Sequence, residues 1–167
     1  GAGGGIGAAS VRRFAREGAK VIAVDVNGEQ LEKTVNAINA DFPNSTTARV
    51  ANVGKASQVE TLVATTVSEL GRLDIVFSNA GIMRDGSVVD LSENDWDDLF
   101  AVNVKGTFLL GKYGIPEMRK TGGGTFVITA SANSFYAESD IAGYCATKGC
   151  LLYTSPSPRD GLLARMP

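Results

Sequence analysis

A chain of 167 residues, 44% hydrophobic and 20% charged, has the length of one domain and the composition of an ordinary soluble globular protein. Its net charge of −2, with no basic stripe, argues against nucleic acid or an anionic membrane as partner, and no apolar run nears the ~20 residues of a membrane span. Histidine is absent, which removes Ser-His-Asp and Cys-His catalysis and the commonest metal ligand.

The chain opens on "GAGGGIGAA", where Gly3, Gly5 and Ala8 fit G-x-G-x-x-A and Gly1, Gly5 and Gly7 fit G-x-x-x-G-x-G. Either spacing gives a tight turn whose backbone approaches a pyrophosphate at a helix N-terminus. On its own, a loop this rich in glycine also fits a flexible linker. "AASVRRFAREGAK" places Ala8, Val11 and Ala15 on one helix face, with Arg12 and Arg13 on the surface and Gly18 as a C-cap.

"KVIAVDV" reads as a buried strand ending in Asp25, 18 residues after Gly7. A carboxylate at that strand end suits the adenosine ribose hydroxyls and repels a 2′-phosphate. Neither Gly4 nor Val26 offers a cation for such a phosphate, so these residues favour NAD(H) over NADP(H).

"GEQLEKTVNAINADF" is amphipathic, with Leu31, Val35 and Ile38 on one face. "TTARVANV" reads as a strand, "SQVETLVATTVSELG" as a helix ended by Gly71, and "LDIVFSNAG" as a strand running into a turn. A long helical stretch follows from Ser92, a candidate N-cap, and Pro116 is expected to kink or divide it. "GTFVITASA" is another strand. Alternation of this kind implies an α/β fold: a doubly wound parallel sheet of Rossmann type with right-handed crossovers and helices on both faces. Ligands bind such sheets beyond the carboxyl ends of the strands, where the glycines, Asp25, Asn52, Asn79 and Ser131 all fall.

In "GYCATKGC", Tyr144 and Lys148 are four residues apart and share a helix face. Free tyrosine titrates near 10 and is a poor base at neutral pH; a cation at ~4 Å favours the phenolate by roughly 4 kcal/mol at an effective dielectric near 20. Such a pair suits general acid/base work. Cys145 and Cys150 cannot form a tetrahedral zinc site alone and read as small hydrophobes in a reducing compartment, so no metal is expected.

Tyr144 and Lys148, Ser131 thirteen residues earlier, Asn103 seven residues after Trp96, the "SNAG" turn and the Gly1/Gly5/Gly7 spacing together resemble the short-chain dehydrogenase/reductase family. The likeness runs from Gly1 to about Cys150. It implies hydride transfer between NAD and a small-molecule secondary alcohol or ketone, with Tyr144 as proton donor or acceptor. Lys148 would assist the tyrosine and hold the nicotinamide ribose, Ser131 would bond the substrate oxygen, and Asn103 would anchor a water linking Lys148 to solvent. The implied cofactor contacts are Gly1, Gly5, Ile6, Gly7, Asp25, Asn52, Val53, Asn79, Ala80 and Gly81, with Tyr144 and Lys148. A cytoplasmic homodimer or homotetramer is implied as well, built through the long helix and the Tyr/Lys helix.

Some positions depart from the family pattern. The Thr before the first glycine and the strand leading to it are missing, Ser78 replaces a common Asn, and Asn52 stands where the family often has Asp. Residues 1–150 therefore read as the dinucleotide-binding core with its first and last strands missing. Residues 151–167, "LLYTSPSPRDGLLARMP", read as a non-native or disordered tail that resembles translated vector sequence, in which Pro156 and Pro158 stop the helix. On this reading the 167-residue chain is inactive by itself. Two alternatives remain: a 3-oxoacyl carrier-protein reductase, generally NADP-linked and disfavoured by Asp25, and a non-catalytic dinucleotide-binding module.

Overall fold

The computed structural model describes residues 1–154. Helix α1 (Gly5–Arg16) starts inside the glycine loop, three residues before its apolar pattern begins, because Gly5 takes φ +51 and turns the chain directly into the helix. It buries Gly7, Val11 and Ala15 and gives way to Gly18 at φ +89, the expected glycine stop. Strand β1 (Val21–Asp25) leads to α2 (Gly28–Asp41), whose N-cap Asn27 accepts the Gln30 N–H; Leu31, Val35 and Ile38 are buried as their spacing predicts. Strand β2 (Thr46–Val50) precedes α3 (Ala56–Leu70), which ends at Gly71 with φ +78.

Strand β3 (Ile75–Ser78) runs into the "SNAG" turn, and α4 (Glu93–Leu99) begins where Ser92 Oγ accepts the Asp95 N–H. The irregularity expected at Pro116 lies elsewhere. Helix α5 (Gly106–Lys120) passes through Pro116 undivided, whereas Phe100–Lys105 forms a π-helical turn between α4 and α5. Pro116 is one turn from the helix end and costs a single N–H there. The wide turn is set instead by Asn103, whose side chain is drawn inside. Strand β4 (Thr125–Ile128), a 3-10 turn (Ala132–Ser134) and α6 (Ala142–Thr154) complete the described chain.

The strands are parallel but hydrogen-bonded in two pairs rather than one ladder: Val21 to Asp25 against Thr46 to Val50, and Ile75 to Ser78 against Thr125 to Ile128. Strands β1 and β3 both line an apolar cavity of about 520 Å³, across which Phe14 of α1 meets Phe77 of β3 edge-on at 6.3 Å. One buried cluster joins Val11 and Ala15 of α1 to Ala23, Leu31, Val35 and Ile38; the other joins Val53, Val59, Val63 and Leu109. The expected single sheet is thus present as two parallel pairs, the β1–β2 pair backed by the first of these clusters.

No helix among the described residues is long and apolar enough to cross a membrane. Helix α6 continues through Thr154, so the first four residues of the expected tail are helical, while Pro156 and Pro158 lie outside the described residues.

Leu31 has no solvent exposure at the centre of its cluster, whereas Val89 is 89% exposed. Leu31→Ala is expected to lower stability by about 2–5 kcal/mol, and Val89→Ala to change it by less than about 0.5 kcal/mol, as measured by urea unfolding.

Candidate active site

Of the N-terminal glycines, Gly5 is required by torsion and Gly1 and Gly7 by space. A Cβ on Gly7 would stand 1.7 Å from the Gly1 carbonyl oxygen, and one on Gly1 would stand 2.8 Å from the Ala80 Cα. Gly3 is tighter than usual too, with its Cβ position 3.2 Å from Asp25 Oδ2. Gly4, the N-cap of α1, supplies no side-chain bond, and the first turn of the helix holds no acidic residue. Its N–H groups therefore face outward without side-chain partners, beside the exposed Ile6.

Asp25, at the end of β1, draws this loop to itself. Its Oδ2 accepts the Gly3 N–H at 2.9 Å, its Oδ1 accepts the Asn27 N–H at 3.0 Å, and the Gly1 ammonium lies 3.4 Å away. Burial works to raise the pKa of this carboxyl, but the two N–H groups and the ammonium outweigh it and hold the value below normal. Arg12 is paired with Asp41 and Arg13 with Glu17, on the helix surface as expected.

After β2, Asn52 Oδ1 accepts the Gly54 N–H at 2.9 Å. Val53, expected beside it as a cofactor contact, turns its side chain inward. Its side chain is buried with Val59, Val63 and Leu109, beneath Gly106, and leaves only main chain for a ligand. The polar face of this turn belongs to Asn52.

Asn79 connects the separate segments. Its Nδ2 donates to the Gly1 carbonyl at 3.1 Å, and its Oδ1 accepts the Thr129 hydroxyl at 3.0 Å. The Thr129 carbonyl in turn accepts Lys148 Nζ at 2.8 Å. Lys148 is 4% exposed, with its Nζ 5.6 Å from the centroid of the Tyr144 ring, and burial lowers its pKa. Gly81 lies against the same groups: a Cβ there would come within 3.4 Å of Asn103 Oδ1 and 3.7 Å of Lys148 Nζ.

Asn103 is 1% exposed and works as a clamp. Its Oδ1 accepts the Ile82 N–H at 2.8 Å, while its Nδ2 donates to the Ile82 carbonyl at 2.9 Å and to Thr147 Oγ1 at 3.0 Å. Its side-chain amide is thus fully engaged within the protein. Ser131 caps the 3-10 turn, accepting the Asn133 N–H and donating to Asn133 Oδ1, both at 3.2 Å.

Four residues that sequence reasoning passed over hold this arrangement. Thr129 bridges Asn79 and Lys148; Thr147, fully buried, accepts from Asn103 and donates to the Tyr144 carbonyl at 2.7 Å; Ser134 donates to the Lys148 carbonyl at 2.8 Å. A Cβ on Gly143 would stand 2.7 Å from Leu91 and Leu99, so its absence lets the first turn of α6 close on them. Position beside a candidate residue was the one signal available: Thr129 is two before Ser131, Thr147 precedes Lys148, and Gly143 precedes Tyr144.

The sequence model of the family described as short chain dehydrogenase matches residues 1–157. The chain belongs to that family. Dehydrogenase/reductase SDR family member 4 of Sus scrofa is 38% identical over 149 residues, covering 89% of this chain and 53% of the relative. The 3-oxoacyl-(acyl-carrier-protein) reductase FabG of Thermotoga maritima is 36% identical over 148 residues, covering 89% and 60%. A crystal structure of a Burkholderia xenovorans protein described as a short-chain dehydrogenase/reductase superposes with a TM-score of 0.85 at 35% identity, covering 90% of this chain and 59% of that one. The chain thus spans little more than half the length of these short-chain dehydrogenase relatives. The family match extends three residues beyond the described end of α6.

Two consequences are measurable. Gly7→Ala sets a methyl into the Gly1 carbonyl and is expected to lower the stability of the chain by about 1–3 kcal/mol, as followed by urea unfolding. Lys148 supplies a pH test. Its folded pKa is below the usual 10.5, so the folded chain releases this proton at lower pH than the unfolded chain. The stability cost of the buried charge is present below the folded value and is relieved as pH rises toward 10.5. The unfolding free energy of the chain minus that of Lys148→Met is therefore expected to rise with pH across that window, measured by urea titration at each pH.

Proposed function

We propose that the protein transfers hydride between NAD(H) and a secondary alcohol or ketone. The observation that carries this reading is the linked path from Gly1 through Asn79 and Thr129 to Lys148, beside Tyr144 and within reach of the Ser131 turn. The residues fit a dinucleotide. The closed glycine turn and open first turn of α1 suit a pyrophosphate, and the Asp25 carboxylate suits ribose hydroxyls and repels a 2′-phosphate. Asn52 would border the adenine, with Asn79, Ala80 and Gly81 along the cleft.

The bound nicotinamide supplies the hydride in reduction and takes it in oxidation. In ketone reduction, Tyr144 gives its hydroxyl proton to the substrate oxygen, and Lys148 stabilises the phenolate left behind. Ser131 turns its hydroxyl from Asn133 to the same oxygen and bonds the charge that develops there. Asn103 holds the Ile82 turn against Thr147 of α6 while its main-chain carbonyl accepts the Thr107 hydroxyl at 3.2 Å, and a water linking Lys148 to solvent would be held at this turn. Turnover belongs to the whole protein, acting as a homodimer or homotetramer in the cytoplasm.

In the whole protein, Tyr144→Phe is expected to lower kcat by about 100-fold or more while the NADH Kd stays within about threefold. The assay follows NADH absorbance with a panel of secondary alcohols. Unchanged turnover would remove Tyr144 from the mechanism, and no turnover with any substrate alongside intact NADH binding would favour a non-catalytic dinucleotide module. The 36% identity to a 3-oxoacyl-(acyl-carrier-protein) reductase favours an acyl-chain keto substrate as the second reading. Cofactor preference separates the two. NAD(H) should be preferred, with the NADP-to-NAD activity ratio rising about tenfold on Asp25→Ala; preference for NADP(H) in the unsubstituted protein would support the second reading.

A further inference from the structure

The turn after β4 contains a second buried serine that the chemistry above does not use. Ser134 is 6% exposed and ends the 3-10 turn that Ser131 caps. Its Oγ accepts the Ser131 N–H at 3.3 Å and donates to the Lys148 carbonyl at 2.8 Å, fourteen residues along the chain. A serine hydroxyl has one proton to donate, and this one goes to the main chain of the lysine that serves the site. The Lys148 carbonyl lies inside α6, where the helix provides its own donor four residues on. Helix formation does not need the serine; the second lone pair of the carbonyl receives it. The bond therefore fastens one segment to another rather than satisfying an orphaned helix end.

Helix α6 is held by several contacts, among them the Lys148 Nζ bond to the Thr129 carbonyl and the Ala142 N–H bond to the Gly86 carbonyl. Asn103 reaches it through Thr147, level with Tyr144, and Ser134 reaches it at Lys148. The Asn103 contact fixes the helix against the π-helical turn and the Ile82 segment. The Ser134 contact alone of the two runs to the turn that presents Ser131. We propose that Ser134 is a positioning residue: its hydroxyl sets the register of α6 against the Ser131 turn, and with it the spacing of the Ser131 and Tyr144 hydroxyls around the substrate oxygen. This rests on the reading that those two hydroxyls share one substrate oxygen.

In the whole protein, Ser134→Ala is expected to lower kcat about tenfold, since misplacement by ~1 Å can cost up to about 100-fold. The NADH Kd and thermal midpoint should remain unchanged, and Ser134→Thr, which keeps the hydroxyl, should recover most of the rate. A kcat that stays unchanged, that falls only in step with NADH affinity and thermal midpoint, or that is equally low in both variants overturns the proposal. A second readout needs no turnover. In the 167-residue chain, Ser134→Ala is expected to speed hydrogen exchange of the Ser131 amide about tenfold while the α2 amides of Leu31 and Val35 hold. Unchanged exchange at Ser131 overturns the link between turn and helix. Faster exchange in a protein whose unsubstituted form reduces no ketone keeps the link and rejects the functional reading.

Discussion

The side-chain amide of Asn79 is where the halves of the protein meet. Gly1 and Ala2 both donate to the Val24 carbonyl and so belong to the end of β1, while Thr129 follows β4. By donating to Gly1 and accepting from Thr129, Asn79 at the end of β3 binds one strand pair to the other at a common rim. This arrangement tolerates no side chain on Gly7, because the Gly1 carbonyl that Asn79 engages occupies the space of its Cβ. The glycine turn and the asparagine are therefore one constraint expressed at two positions.

Joined to that rim through Thr129 is a buried polar region with its valences filled. Asn103, Thr147, Ser134 and Lys148 are each less than 9% exposed, yet among the described residues no buried side-chain nitrogen or oxygen lacks a partner. Unpaired polar groups in such a place would cost roughly 1–3 kcal/mol each, so the network must form as a unit or not at all. The π-helical turn contributes by aiming Asn103 inward, where a regular helix would present a different residue to Ile82 and Thr147. Burial also changes the chemistry of the region, since it lowers the pKa of Lys148 while the Thr129 carbonyl retains its ammonium.

Membership of the short-chain dehydrogenase family gives the chain's class, and the geometry of this rim shows which side chains meet at the strand ends. Asp25 is the point at which they bear on the cofactor: its carboxylate is already committed to two backbone N–H groups, which hold it ionised and aimed beside the glycine turn. A carboxylate offers about four acceptor sites, so that commitment leaves capacity for ribose hydroxyls. The surface arginines of α1 take no part, being paired with acids of their own neighbourhood.

The amino-acid sequence by itself determined the order of helices and strands, the glycine turn and the strand-end acid, because each depends on local periodicity or on residues a few positions apart. Leu31, Val35 and Ile38 announced their buried face, and Gly18 and Gly71 announced their helix ends, for the same reason. The Asn103, Ser131, Tyr144 and Lys148 set was legible only through the resemblance to a family. Tertiary structure decided what local pattern cannot carry. The wide turn lies at Asn103 and not at Pro116, because Asn103 has partners waiting 21 and 44 residues away. The Val53 side chain went to the core because the bare backbone of Gly106 let it approach. Thr129, Thr147 and Ser134 became supports of the site only once distant segments were brought within hydrogen-bond reach, and a hydroxyl in a sequence says nothing of which distant carbonyl or amide it will meet.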